Sequence, residues 1–162
     1  MELLRIYLQD HCAASAGALE LVKRAHGANR GTEFEQPLAR LRDDAKRDRA
    51  ALLDAMRRLG VERDRVKEAV AWSAEKLGRL KLNGRVRGYS PLSRVVELEG
   101  LAMLTTDKQS LWKALGAHVA DSRLSAIDFA ALAARTEDQL ARVRELHGRA
   151  CALAFPPASA AA

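Results

Sequence analysis

The chain has 162 residues, a length that fits one domain with a sizeable hydrophobic core. Hydrophobic residues make up 48% of it and aromatic residues only 4%, so Ala and Leu must supply most of the buried apolar surface. That composition is typical of packed helices and contains too few strand-forming residues for a large sheet. The formal net charge of +6 bears on solubility and association rather than on the fold.

Simple patterns argue against a secreted, membrane-bound or zinc-ribbon protein. Charges at Glu2, Arg5 and Asp10 interrupt the apolar stretch that a signal peptide needs. No uncharged apolar run approaches the roughly 18 residues of a membrane helix. Cys12 and Cys151 lie far apart without a CxxC spacing, so they predict neither a disulfide framework nor a thiolate zinc site. We expect a cytoplasmic protein with no membrane partner.

Two long helices are predicted in the first part of the chain. Apolar residues recur with a helical period over residues 3–26, and the glycine-containing turn at 27–31 ends that helix. Thr32, followed three residues later by Glu35, predicts a capping box at the start of the second helix. Gly60 marks the end of the second helix.

The middle of the chain predicts a shorter helix and then a third long one. The shorter helix covers residues 62–80, and a loop at 83–88 follows it. Ser90 and Pro91 have the residue types favoured at the N-cap and the first position of the next long helix, which we expect to end near residue 119.

The last long helix is expected to begin after a cap at Asp121 or Ser122 and to stop at residues 155–157. The predicted fold is therefore all-α, a four-helix bundle with a shorter helix between the second and third long ones. We expect a single domain over residues 1–155 and a disordered tail over 156–162. Both an up-down-up-down and a crossover topology satisfy the pattern.

Polar side chains interrupt the apolar stripes of these helices, and a buried polar group without a partner costs about 1–3 kcal/mol. The candidate metal ligands are His11, Asp48, Glu99 and His147, with Asp44 and Glu137 beside them. At 1.5 Å per residue, an up-down-up-down bundle places the four ligands roughly 9–17 Å from one end. Such a set suits iron, manganese or zinc. The alternative, which we favour, is a buried hydrogen-bond network that fixes the register of the helices.

The chain resembles the ferritin-like superfamily over residues 3–153, in particular small bacterial bundles with an extra short helix. The resemblance is carried by the helix lengths, by the acidic residues Asp43, Asp44 and Asp48, by Met56-Arg57-Arg58-Leu59-Gly60, by Glu99 and by Glu137-Asp138-Gln139. It implies a four-helix bundle and, in active members, two metal ions held by one Glu on each of two helices and a Glu-x-x-His on each of the others.

The sequence departs from that ligand pattern. Ser15 stands near the place of the first Glu, Arg47 follows Asp44 where a His belongs, and Leu140 follows Glu137 in the same way. We therefore expect a relative that has lost or reshaped the metal site, and not a working di-iron oxidase. No resident cofactor is expected on this interpretation, and iron, manganese or zinc is the alternative.

A basic loop gives a further functional alternative. Its cationic residues are Arg79, Lys81, Arg85, Arg87 and Arg94, and no acidic residue lies among them. Such a loop can contact the phosphates of nucleic acid or another anion, although a solvated loop explains it as well. Our leading hypothesis is a non-enzymatic bundle that acts by protein interaction or ligand sequestration, and we expect it to form a homodimer. Metal binding and anion or nucleic-acid binding are the alternatives.

Overall fold

The computed structural model describes residues 2–64 and 89–157. Within them the four long helices are α1 (Glu2–Ala28), α2 (Glu35–Leu59), α3 (Pro91–His118) and α4 (Phe129–Ala154). A 3₁₀ turn at Ser122–Leu124 precedes α4, and these two stretches of chain contain no strand. The prediction of an all-α protein with four long helices is confirmed. The predicted shorter helix lies outside the described residues except for residues 62–64, which are not helical.

The bundle has a crossover topology, which settles the alternative left open by the sequence. Gln9, near the start of α1, donates through Nε2 to the carbonyl oxygen of Glu62, which follows α2. The chain enters α3 at the opposite end, where Asn29 Nδ2 donates to the hydroxyl oxygen of Tyr89 at 3.1 Å. Helices α2 and α3 therefore run in the same direction, and α4 returns parallel to α1.

Two apolar clusters fill the two ends of the bundle, and each takes residues from all four helices. The first contains Leu8, Cys12, Leu52, Met56, Leu111, Trp112, Leu115, Phe129 and Leu132, among others. The second contains Val22, Phe34, Leu38, Val95, Leu98, Leu101, Val143 and Leu146, among others. Between them, each helix contributes buried or half-buried polar residues instead, so the core is interrupted at mid-height.

Several helix ends follow their sequence signals. Ser90 caps α3, since its Oγ accepts from the backbone N–H of Ser93 at 3.1 Å, and Pro91 is the first helical residue. Gly60 adopts φ of 71° after α2, a left-handed conformation that glycine reaches without strain. The predicted end of α4 near Phe155 is also observed.

Two predicted caps are wrong. Residue Phe34, not Thr32, precedes α2, and Thr32 and Glu35 stabilise the preceding turn by accepting from the N–H groups of Phe34 and Gly31. Asp121 caps only the short 3₁₀ turn, whereas α4 begins later and is capped by Asp128. In both places an additional turn separates the cap signal from the helix.

The large aromatic side chains of the described helices are mostly buried. Trp112 and Phe129 are buried in the first apolar cluster, and Tyr7 is partly buried against it. The exposed large apolar side chains include Leu92, Val96 and Met103 of α3, together with Phe155. The homodimer stays a prediction. Among the described helices, none combines the length and the apolar character that crossing a membrane requires.

Truncation of the first apolar cluster should destabilise the bundle. Leu8 is fully buried there, so we expect Leu8→Ala to lower the free energy of unfolding by about 2–5 kcal/mol. Leu3, on the same helix but exposed, provides the matched control, and Leu3→Ala should stay within about 0.5 kcal/mol of the unaltered chain. Urea unfolding followed by circular dichroism measures both. Equal losses in the two variants would contradict the assigned burial.

Candidate functional site

The middle of the bundle contains a polar layer built around Asp48, whose side chain is only 2% exposed. Lys108 Nζ, from α3, lies 2.5 Å from Asp48 Oδ2, and Arg135, from α4, makes an ion pair with the other carboxylate oxygen. Lys108 Nζ also donates to Oε1 of Gln139 at 2.5 Å. We use the name mid-bundle polar layer for these four residues.

Charge pairing in the polar layer offsets the cost of burial. Burial by itself raises the pKa of Asp48, but the charge of Lys108, the hydrogen bonds from Lys108 and Arg135 and the nearby amide of Gln139 outweigh it, and the pKa lies below its ordinary value. Burial dominates at Lys108, whose side chain is 19% exposed, and lowers its pKa despite the nearby Asp48. The carboxylate is thus held ionised by two cations from two neighbouring helices.

A second buried carboxylate, one turn earlier on α2, is neutralised in the same way. Asp44 accepts from Arg142 of α4 at 2.5 Å and makes a further ion pair with Arg47 of its own helix. Arg47 stands where the ferritin-like pattern has a metal-binding His. The carboxylate oxygens of Asp44 and Asp48 are the atoms that a metal ion would bind, and arginine or lysine nitrogens already contact them.

A cavity of about 50 Å³ adjoins the polar layer and is lined by all four helices. Its polar side is formed by residues such as Asp48, Lys108 and Gln139. The remainder is mostly small or aliphatic, and includes Ala14, Ala18, Val22, Leu41, Ala45, Leu52, Leu101, Leu104 and Val143. A water molecule needs roughly 10–15 Å³ of such space, so the cavity has room for a molecule of a few non-hydrogen atoms.

His11 also lines the cavity, and it pairs there with Asp107 and not with Asp48. Its Nδ1 lies 2.9 Å from Oδ2 of Asp107 on α3, and its ring makes an edge-to-face contact with Tyr7 at a centroid distance of 4.4 Å. Burial and the charge of Asp107 raise the pKa of Tyr7. The structure therefore brings His11 and Asp48 to one cavity without placing them on a common partner.

The other two predicted ligands form a separate surface pair. Glu99 is 54% exposed, and its Oε1 lies 3.2 Å from Nε2 of His147. Cys151 Sγ lies 3.5 Å from the same imidazole nitrogen. The crossover topology explains the separation, because it carries Glu99 and His147 to the opposite end from the one that an up-down-up-down bundle would give them. Within residues 2–64 and 89–157, no three His, Cys, Asp or Glu side chains form a group that could hold a metal ion.

The remaining predicted site residues divide between the surface and the part of the chain outside the described residues. Glu137 is exposed on α4. Arg79, Lys81, Arg85 and Arg87 lie outside the described residues. Arg94, the one described member of the basic loop, has its guanidinium 4.3 Å from the ring centroid of Phe34 and donates to Asn29 Oδ1 at 2.6 Å. Those contacts give Arg94 a structural role at the α1–α2 turn.

Sequence reasoning missed Lys108, Arg135 and Gln139, although two of them carry a readable signal. Lys108 lies seven residues after Leu101 and seven before Leu115, so it falls on the buried seam of α3. Gln139 similarly lies seven residues after Leu132 and seven before Leu146 on α4. Arg135 is adjacent to the seam position Thr136 and reaches Asp48 from the edge of the bundle.

Comparisons of the chain with protein-family models, with curated proteins and with solved structures find no match. The resemblance to the ferritin-like superfamily stays a prediction.

The lowered pKa of Asp48 should appear as a pH dependence of stability. A carboxyl group whose pKa is lower in the folded than in the unfolded state stabilises the fold above its unfolded value of about 3.9. That contribution is lost as the pH falls through the folded value. We therefore expect the unaltered chain to be more stable than Asp48→Asn at pH 7, and this difference to shrink below about pH 4.

Glu137→Gln is the control, since it removes the same charge from an exposed position. Urea unfolding of all three proteins across the acid range gives the comparison. A difference between the unaltered chain and Asp48→Asn that stays constant down to pH 2 would show that the pKa of Asp48 is not lowered by folding.

Proposed function

We propose that this chain is a non-enzymatic, ferritin-like helical bundle that acts by sequestering a small ligand between its helices. The observation that carries the proposal is the cavity of about 50 Å³ beside the mid-bundle polar layer, to which all four helices contribute. Protein cores are normally close-packed, whereas this core leaves space for a small molecule. The polar side chains on the cavity wall would orient a molecule bound there. The two apolar clusters on either side hold that wall in place.

A metal ion is a weaker candidate for the occupant. Asp48 and Asp44 are the buried carboxylates of α2, and cationic side chains already pair with both of them. A metal ion at Asp48 would have to displace Lys108 and Arg135, and the largely buried charge of Lys108 would then lack a partner, which is costly. Metal binding remains an alternative proposal, but of its four predicted ligands only Glu99 and His147 contact each other, and His11 and Asp48 pair with other residues.

Two features support the ferritin-like part of the proposal. The single crossover connection between α2 and α3 is the arrangement that ferritin-like folds use, although other bundles also have crossovers. The polar layer also lies at mid-height on facing helices, which is where helical bundles build their ligand and metal sites. A ligand-sequestering relative would have kept this location and replaced the metal-binding chemistry.

The proposal can be tested by filling the cavity. Ala45 of α2 lines it, whereas Ala50 on the same helix is exposed, so Ala45→Val and Ala50→Val make a matched pair. We expect at least one of a panel of molecules with up to four non-hydrogen atoms, both neutral and charged, to raise the melting temperature of the unaltered chain and of Ala50→Val. Ala45→Val should not respond, because the added methyl groups occupy the site.

The size of the effect follows from mass action. At ten times its dissociation constant, a ligand that binds only the folded state stabilises it by about 1.4 kcal/mol. Differential scanning fluorimetry at constant ionic strength detects such a change. No response from the unaltered chain to any molecule, or the same response from Ala45→Val, would count against sequestration in this cavity.

A further inference from the structure

Some buried N–H donors near the cavity have no hydrogen-bond acceptor. Within the described part of the chain, three buried side-chain atoms have no hydrogen-bond partner, and all three are N–H donors: Trp112 Nε1, Arg135 Nε and Gln139 Nε2. Trp112 and Gln139 are 1% and 2% exposed and both line the cavity. Gln139 lies near enough to Asp48 to help lower its pKa, but its Nε2 makes no hydrogen bond of ordinary geometry.

Buried donors of this kind indicate what a ligand must offer. A donor that stays unpaired in the interior costs about 1–3 kcal/mol, so a bound group that accepts hydrogen bonds is favoured over one that donates them. A carboxylate consists of two acceptor oxygens and carries no donor. A single carboxylate therefore has one acceptor oxygen for each of the two unpaired donors.

Lys108 gives the same ligand a positively charged neighbour on the cavity wall. The wall also holds Asp48, Asp107 and Arg49, so its formal charges balance. The unpaired donors, and not a net charge, therefore favour a carboxylate over an amide, which has one acceptor oxygen and brings donors of its own. The aliphatic remainder of the cavity wall suits a short hydrocarbon end.

The size of the cavity limits the length of the ligand. An engineered cavity of about 150 Å³ accommodates benzene, and this one has about a third of that volume. On the basis of the sequestration proposed above, we propose that the cavity binds a carboxylate of one or two carbons, with its oxygens accepting from Trp112 Nε1 and Gln139 Nε2 and its charge facing Lys108.

Acetate and acetamide are the probes that test this assignment, because they share size and shape and differ in charge. The readout is the indole N–H resonance of Trp112 in ¹H–¹⁵N correlation spectra. The chain contains two tryptophans, and the variant Trp72→Phe identifies which signal belongs to Trp112. Chloride keeps the ionic strength constant throughout each titration.

We expect acetate to move the Trp112 resonance saturably and to bind at least tenfold more tightly than acetamide. Its four non-hydrogen atoms set a limit of about 40 μM for the dissociation constant, so the binding will be weak. Acetamide that binds as tightly as acetate would overturn the carboxylate assignment and leave the sequestration intact. No saturable shift with either probe would overturn both.

A near-isosteric variant tests the position of the carboxylate. Gln139→Glu keeps an oxygen for Lys108 but replaces the unpaired donor with a negative charge, so acetate should bind at least tenfold more weakly. Gln36→Glu makes the same change at an exposed position of α2 and should leave the affinity for acetate unchanged. An unaltered affinity in Gln139→Glu, with the variant folded by circular dichroism, would place the acetate elsewhere and overturn the proposal.

Discussion

The ion pairs that Asp48 makes with Lys108 and Arg135 allow a carboxylate to lie buried in the middle of the bundle. An isolated buried charge is costly, and such a group normally becomes neutral unless partners stabilise its ionised form. Here the partners come from α3 and α4, so the charge of one α2 residue is balanced only when three helices are correctly aligned. A shift in the register of these helices would therefore separate the paired charges in the core.

The same alignment creates the cavity. Lys108 and Gln139 meet at Asp48, and the space beside them is bordered by small side chains such as Ala14, Ala18 and Ala45. Larger aliphatic residues at those positions would close the core and join the two apolar clusters. The proposed ligand site differs from a network that serves only to fix register in having an under-filled apolar space beside its charged wall.

Much of the fold could be predicted from the sequence because its signals are local. The 3.6-residue periodicity, the Ser90–Pro91 start and the glycine at position 60 locate helix cores and ends without any knowledge of packing. The caps at Thr32 and Asp121 were misplaced because a turn can use the same hydrogen bonds as a helix start. Topology was not predictable, since both connections satisfy the same apolar stripes.

The site was predictable only in part, and topology is the reason. Asp48 was identified because it interrupts an apolar stripe, but its partners depend on which helices face it. Heights along an up-down-up-down bundle grouped it with Glu99 and His147, whereas the crossover brings Lys108 and Gln139 to that level. A lysine on a buried seam could have been recognised from its seven-residue spacing to Leu101 and Leu115, although not its contact with Asp48.

A double-mutant cycle between Asp48 and Lys108 tests the central claim most directly. Asp48→Asn, Lys108→Met and the double variant are compared with the unaltered chain by urea unfolding at pH 7. Asp48→Asn leaves the buried Lys108 without its counter-charge and should cost about 3–5 kcal/mol. Lys108→Met leaves Asp48 with Arg135 alone and should cost less, and the double variant should recover part of the summed losses. We expect a coupling energy of about 2 kcal/mol or more in favour of the pair. Single losses that add to within about 0.5 kcal/mol would contradict the account, because they would show that the two charges do not depend on each other.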